Sequence, residues 1–265
     1  MKYDLIVSDF DGTMADKKIV SEQTLQAIKR YVAKGGKFVI CTGRVEQSIK
    51  SIIDQYGLPT VSGTHQGSRI LDTATGEVLK NGGIDYKTAI KVVDFVRQYT
   101  PVVIYIGPEM FAETPCRYAE VFKGICDCTY VPSLTDLLLE RKEDVNRIIA
   151  STVPERVPEL LEFFGKHLGD KVLVNSGANY IVEMASLEHN KKTCVEFLAN
   201  YYGIPFEKVM TVGDSTNDIP LLSGEWQGVA VGNAHEKLKE VAKEITVPIS
   251  EHPIKYLIEK YCLED

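Results

Sequence analysis

A chain of 265 residues with 44% hydrophobic and 25% charged side chains has the composition of a globular protein of one large domain or two modest ones. Its net charge of −7, with no dense Lys/Arg block, argues against a nucleic-acid footprint and a polybasic membrane patch. No apolar stretch approaches a membrane span, and Met1-Lys2-Tyr3-Asp4 sets an acid before a very short apolar run, unlike a secretory signal, so the expected compartment is the cytoplasm. Of the six cysteines only Cys126 and Cys128 lie close together, and neither a second pair nor a His cluster completes a zinc site. They read as reduced thiols, with Cys41 and Cys194 as small buried hydrophobes.

Leu5-Ile6-Val7 reads as a strand buried on both faces, followed at once by Ser8-Asp9-Phe10-Asp11-Gly12-Thr13. Ser21 caps a helix carrying Leu25, Ile28 and Val32, which Gly35-Gly36 ends. A second buried strand, Lys37–Cys41, runs into Thr42-Gly43-Arg44. A helix over 45–56 and a strand at Thr60–Gly63 follow. Strands alternating with helices imply a parallel sheet with right-handed crossovers. Ser68–Leu71 and Glu77–Leu79 flank a turn at Gly76 and form a hairpin.

The texture changes near Gly82-Gly83. From there to about Met184 the pattern predicts helices at 86–98, 117–123 and 154–166. It predicts strands at 102–106, 145–150, 171–175 and 180–183. Strands outnumber helices, so this stretch is expected to be a separate α+β domain, 83–185, inserted between core segments 1–82 and 186–265. The α/β alternation then resumes with a helix over 190–202, the strand Val209–Val212, the loop Gly213-Asp214-Ser215-Thr216-Asn217-Asp218, a short helix over 218–223, a strand at 228–232 and closing helices near 236–242 and 253–261. The expected class is α/β: a Rossmann-like doubly wound parallel sheet with an inserted α+β cap.

Three strand ends therefore carry polar groups at one sheet edge, where open parallel sheets bind ligands. The first offers Asp9 and Asp11, the second Thr42 and the Gly43 amide, the late one Asp214, Asn217 and Asp218. Neighbouring carboxylates repel unless a cation or a shared proton intervenes. Mg²⁺ is the simplest such cation, and a carboxylate beside it can attack phosphorus. Lys191-Lys192 supplies positive charge just before the third group. Each motif alone also reads as an ordinary turn or helix cap.

Together, Asp9-Phe10-Asp11-Gly12-Thr13, Thr42-Gly43-Arg44, Lys191, Gly213–Asp218 and Val231-Gly232-Asn233-Ala234 resemble the haloacid dehalogenase superfamily, in particular Cof-type phosphatases with a type IIB cap. The resemblance runs from Asp4 to about Val247. It implies an Mg²⁺-dependent phosphatase acting on small phosphorylated metabolites, sugar phosphates among them, as a monomer or homodimer without nucleic-acid or membrane partners. By the same resemblance Asp9 is the nucleophile and a metal ligand. Asp11 is the general acid/base and a ligand through its carbonyl, and Asp214 is the third ligand. Thr42 and the Gly43 amide bind the phosphoryl group, and Lys191 neutralises it. Gly12 and Asn217 support the loops, and Asp218 supports the metal or orients Lys191.

Arg44 is a candidate substrate contact, as are Arg117, Tyr118, Asn179 and Tyr180 in the insert. Two stretches depart from the family pattern: His65-Gln66-Gly67-Ser68 stands where Asn-Gly-Ala is usual, and Ser250-Glu251-His252-Pro253 replaces the late Asn and acidic cluster. A phosphomutase on the same scaffold and a catalytically silent phosphometabolite sensor are the alternative readings.

Overall fold

The structure, a computed structural model, describes residues 1–263. In chain order the strands are β1 Leu5–Ser8, β2 Lys37–Cys41, β3 Val61–Thr64, β4 Arg69–Asp72, β5 Val78–Asn81, β6 Val102–Ile106, β7 Glu109–Ala112, β8 Cys128–Tyr130, β9 Arg147–Ser151, β10 Leu173–Asn175, β11 Ile181–Ala185, β12 Val209–Gly213, β13 Gln227–Ala230 and β14 Glu244–Ile245. The helices are α1 Glu22–Ala33, α2 Glu46–Tyr56, α3 Tyr86–Val96, α4 Arg117–Phe122, α5 Leu134–Arg141, α6 Val157–Leu168, α7 Lys191–Tyr202, α8 Ile219–Leu222, α9 Glu236–Lys239 and α10 Pro253–Ile258. Two compact units result. One holds residues 1–44, 49–79 and 191 onward, the other residues 45–48 and 80–190.

The first unit is built on an eight-stranded sheet in the order β14-β13-β12-β1-β2-β3-β4-β5. From β14 to β3 every pairing is parallel, and β4 returns antiparallel to β3. All four residues of β1 are buried, as a strand covered on both faces requires. Ser8 lies level with Val212 on one side and Ile40 on the other, so the ends of β12, β1 and β2 reach the same edge together.

The Ser21 side chain caps α1 by accepting from the Thr24 amide at 3.2 Å. Its inward face differs from the expected one: Val32 is exposed and Tyr31 is fully buried instead. The Tyr31 ring fills the space over Gly36, where an added Cβ would sit 2.3 Å from it. The only tryptophan, Trp226, is buried in this unit and donates from Nε1 to the Leu221 carbonyl at 2.8 Å.

The second unit holds a six-stranded sheet, β10-β11-β9-β6-β7-β8, antiparallel except for β7 with β8. One face, with Ile104, Ile148, Ala150, Val182 and Met184, packs on apolar residues of α3, α5 and α6. The other carries Val103, Tyr105, Ile149 and Ile181, joined by Tyr118 and Cys126. Four elements lie outside the sequence expectation: β7, β8, α5 and β14. The strands among them are two to four residues long, too short for periodicity to register. All six cysteines are free thiols, and among the described residues no helix is long and apolar enough to cross a membrane.

Ile6 is buried on the central strand of the first unit. Ile6→Ala is expected to lower that unit's unfolding free energy by about 2–5 kcal/mol. Urea titration followed by Trp226 fluorescence checks this.

Candidate active site

Asp9 leaves β1 with its backbone still in the sheet, donating its N–H to the Val212 carbonyl at 2.9 Å. Phe10 then turns into the core and Gly12 reverses the chain at φ 81°, a conformation open to glycine. Asp214 lies directly against that glycine: a Cβ on residue 12 would fall 2.4 Å from Asp214 Oδ2. The Thr13 hydroxyl donates to Asp214 Oδ1 at 2.9 Å, so the turn after β1 grips the loop after β12. In the sequence Thr13 reads only as the close of a turn; its acceptor lies 201 residues away.

Lys191, at the start of α7, joins two carboxylates. Its Nζ donates to Asp9 Oδ1 at 2.7 Å and to Asp218 Oδ1 at 2.6 Å. Lys191 and Asp218 side chains are 1% and 0% exposed, so this is a fully desolvated charge cluster. Lys192, the other candidate in the sequence, is exposed. Asp218 Oδ2 accepts from the amides of Asp214 and Ser215, each at 3.0 Å. Both oxygens of Asp218 are thus committed within the protein.

The cluster carries three buried or half-buried carboxylates against one ammonium. Burial pushes the Asp9 carboxyl up to about 8, against the lowering pull of Lys191, with Asp218 and Asp214 adding to the rise. Burial and the Asp218 charge raise Asp214 to about 6, against the pull of Thr13 and Lys191. Burial alone would lower the Lys191 ammonium, but Asp218 and Asp9 outweigh it and hold it well above the ordinary lysine range.

Thr42 ends β2 beside this cluster. Its Oγ accepts from the Arg44 amide at 3.2 Å, leaving the hydroxyl proton for another acceptor. The Arg44 side chain does something the sequence does not disclose. Its Nε and Nη2 donate to the two oxygens of Asp11, each at 2.7 Å, while the guanidinium lies over the Phe10 ring, 5.1 Å from the centroid. Such a fork is a strong charge-assisted pair, here at a carboxylate whose side chain is 51% exposed.

Gln66 occupies the loop after β3 and packs on Gly43, where an added Cβ would meet its Nε2 at 2.6 Å. Its Oε1 accepts from Asn217 Nδ2 at 3.3 Å, linking the loops after β3 and β12. His65 and Gln66 both have positive φ, 49° and 60°. Strain of this kind costs on the order of 1–3 kcal/mol per residue and gathers at functional sites.

The remaining candidates lie in the second unit. Arg117 is exposed and sits over the Tyr180 ring, 4.9 Å from its centroid. Tyr118 is buried: its hydroxyl meets that of Tyr105 at 3.2 Å and its ring stacks on Phe122. Asn179 is exposed in the turn between β10 and β11.

The donor set suits a hard divalent cation. Oxygens of Asp9, Asp214 and Asp218 lie within 4.8 Å of one another. Asp218 is fully engaged and Thr13 holds Asp214 Oδ1, so the second oxygens of Asp9 and Asp214 remain without a protein partner among the described residues. Three clustered carboxylates, two of them with an unpartnered oxygen, in a site with excess negative charge match the oxygen preference of Mg²⁺.

Comparison with known proteins agrees with this geometry. Residues 6–258 match the family model described as haloacid dehalogenase-like hydrolase. Phosphatase YwpJ of Bacillus subtilis is 27% identical, over 96% of this chain and 98% of its own. The 5-amino-6-(5-phospho-D-ribitylamino)uracil phosphatase YitU of the same organism is 25% identical, over 97% of each. Among solved structures, the sugar phosphatase BT4131 of HAD subclass IIB superposes with a TM-score of 0.79 at 19% identity, over 98% of this chain and 100% of its own. The chain that brings Asp9, Lys191 and Asp214 together at the edge of a parallel sheet belongs to the haloacid dehalogenase-like hydrolases.

Proposed function

We propose that this hydrolase is an Mg²⁺-dependent phosphatase of small phosphorylated metabolites that works through an aspartyl-phosphate on Asp9. The observation that carries this reading is the state of Asp9. One oxygen is fixed by Lys191 and the other is unpartnered, at the mouth of a charge cluster on the carboxyl edge of the sheet. Bound there through Asp9, Asp214 and the Asp11 carbonyl, Mg²⁺ would supply charge neutralisation for the phosphoryl oxygens.

The chain's own groups account for the remaining work. The free Asp9 oxygen attacks phosphorus as the bond to the leaving oxygen breaks, and Asp11 delivers a proton to that oxygen. Asp11 then takes a proton from water, whose oxygen attacks the phosphorus, and inorganic phosphate leaves with the Asp9 carboxylate restored. The Thr42 hydroxyl and Gly43 amide donate to phosphoryl oxygens. Lys191 offsets the charge between them and Asp9, since phosphoryl transfer needs mainly alignment and charge compensation. Asp218 orients Lys191 and the 214–215 backbone. Both Asp11 oxygens accept from Arg44, so that fork fixes how the carboxylate is turned. Residues 83–185, inserted between the two core segments, are read as the cap domain of this family.

Phosphate release from p-nitrophenyl phosphate with Mg²⁺ tests the assignment. Asp9→Asn is expected to lower kcat by on the order of 10³ or more, and unchanged turnover would remove Asp9 as nucleophile. In ¹⁸O-labelled water, label is expected in the inorganic phosphate released from a sugar phosphate. Transfer to a second sugar hydroxyl without label marks a mutase instead.

The raised Asp9 and Asp214 carboxyls set the pH dependence of the metal-free protein. Their folded pKa values, about 8 and about 6, exceed the ordinary aspartate value of about 3.9, so the fold favours the protonated forms. Stability is therefore expected to fall as pH rises from about 4 towards 8. A cation competes with those protons, so the Mg²⁺-induced rise in Tm of EDTA-treated protein is expected to be larger at pH 8 than at pH 5.5. Thermal melts at the two pH values measure it.

A further inference from the structure

Gln66 brings to the first unit's site a donor that no protein group uses. The residue is 5% exposed. Its Oε1 accepts from Asn217 Nδ2 at 3.3 Å, while its Nε2 has no acceptor among the described residues. Buried side chains nearly always set their polar atoms against a partner, so an idle donor at this depth asks for a ligand. The backbone carries it at a φ of 60°, a conformation that Asn adopts more readily than Gln.

Its surroundings place that donor. The Gln66 N–H donates to the Thr42 carbonyl at 3.0 Å and the His65 N–H to the Arg44 carbonyl at 3.1 Å, which pins the 65–66 backbone along the turn after β2. The side chain then lies on Gly43: an added Cβ there would meet Nε2 at 2.6 Å and Oε1 only at 3.5 Å. β2 and β1 stand between β3 and β12 in the sheet, so the contact with Asn217 is made at the edge where Thr42 and Asp9 end. Asn217 precedes Asp218, which holds Lys191 at 2.6 Å. With Oε1 taken by Asn217, the donor end of the amide is the one left at the Thr42-Gly43 turn.

We propose that Gln66 is a further phosphoryl-binding residue, its Nε2 donating to a phosphoryl oxygen beside the Thr42 hydroxyl and the Gly43 amide. The identity of the ligand rests on the phosphatase reading above. Because the amide lies on Gly43 itself, a tetrahedral group that accepts from the Gly43 N–H sits within reach of Nε2. A primary amide nitrogen donates and does not accept, which suits the oxygens of a phosphoryl group, all of them acceptors. It is also neutral. A second ammonium here would pair with Asp9 or Asp214, whereas an amide held in place by Asn217 stabilises charge on the transferring oxygens without claiming a carboxylate.

The test titrates orthovanadate, a phosphate mimic, into wild type, Gln66→Met and Gln66→Asn by calorimetry in the presence of Mg²⁺, with hydrolysis of p-nitrophenyl phosphate and ligand-free thermal melts alongside. Met matches Gln in length and has no donor. Asn suits the positive φ but is one methylene shorter, so its amide draws back from Gly43. Each substitution is expected to weaken vanadate about tenfold and to lower kcat/KM by about tenfold to a hundredfold. Such a loss in a variant whose Tm equals or exceeds that of the wild type is what a packing role would not produce. Wild-type affinity for vanadate in either variant, or a loss that comes only with a lowered Tm, overturns the proposal and leaves the phosphatase reading standing. Vanadate binding that depends on Gln66 in a protein that releases no phosphate from any ester supports the donor and removes the phosphatase reading alone. A wild type that binds no vanadate removes the donor's role, and hydrolysis of the aryl phosphate then decides the phosphatase reading by itself.

Discussion

The ammonium of Lys191, held between Asp9 and Asp218, is the interaction on which the site depends. Removing two carboxylates and an amine from water costs several kcal/mol per ion, returned only if geometry and hydrogen bonding are nearly complete. Here they are on one side of the cluster and open on the other. Asp218 uses both oxygens, one on Lys191 and one on two backbone amides. Asp9 uses one. The asymmetry separates a structural acid from a chemical one although both sit in the same charge cluster. Asp218, which lies within ligand distance of the other two acids, spends three of its roughly four acceptor positions on Lys191 and the loop it holds.

Glycines do comparable work by absence. A side chain at residue 12 would displace Asp214, and one at residue 213 would fall 2.6 Å from the Asp218 Cβ. One at residue 43 would collide with the Gln66 amide. The three strand ends converge because their loops lack side chains where they meet. Thr13 and Arg44 then fasten loops of neighbouring strands to one another, and Gln66 links the loop after β3 to the loop after β12, two strands further off.

Much of this was legible in the sequence because it rests on local chemistry. An apolar run followed by Asp9 and Asp11, or Lys37–Cys41 followed by Thr42-Gly43, states both a buried strand and what stands at its end. What remained hidden depended on distance in the chain. Nothing near Arg44 says that its fork closes on Asp11, and nothing near Gln66 says that its longer amide reaches Asn217. The inward turn of Tyr31 in place of Val32 is instead a matter of local packing, since it is Gly36 that leaves room for the ring. In the second unit the missed strands are too short to carry a period, whereas α5 announces itself by the cap Ser133 lends to Asp136.

The pairing of Asp9 with Lys191 spans 182 residues of chain. While the protein emerges from a ribosome, the first strand is therefore made long before its counter-charge exists. Its acidic end stays hydrated, and β1 lacks its β12 neighbour until residues 209–213 have been made. Contacts of such long range slow folding and leave an apolar strand edge uncovered meanwhile. Nascent chains halted before α7 would be inert and adhesive, and competence would arrive in a single late event, when the lysine docks and the strand is sealed on both sides.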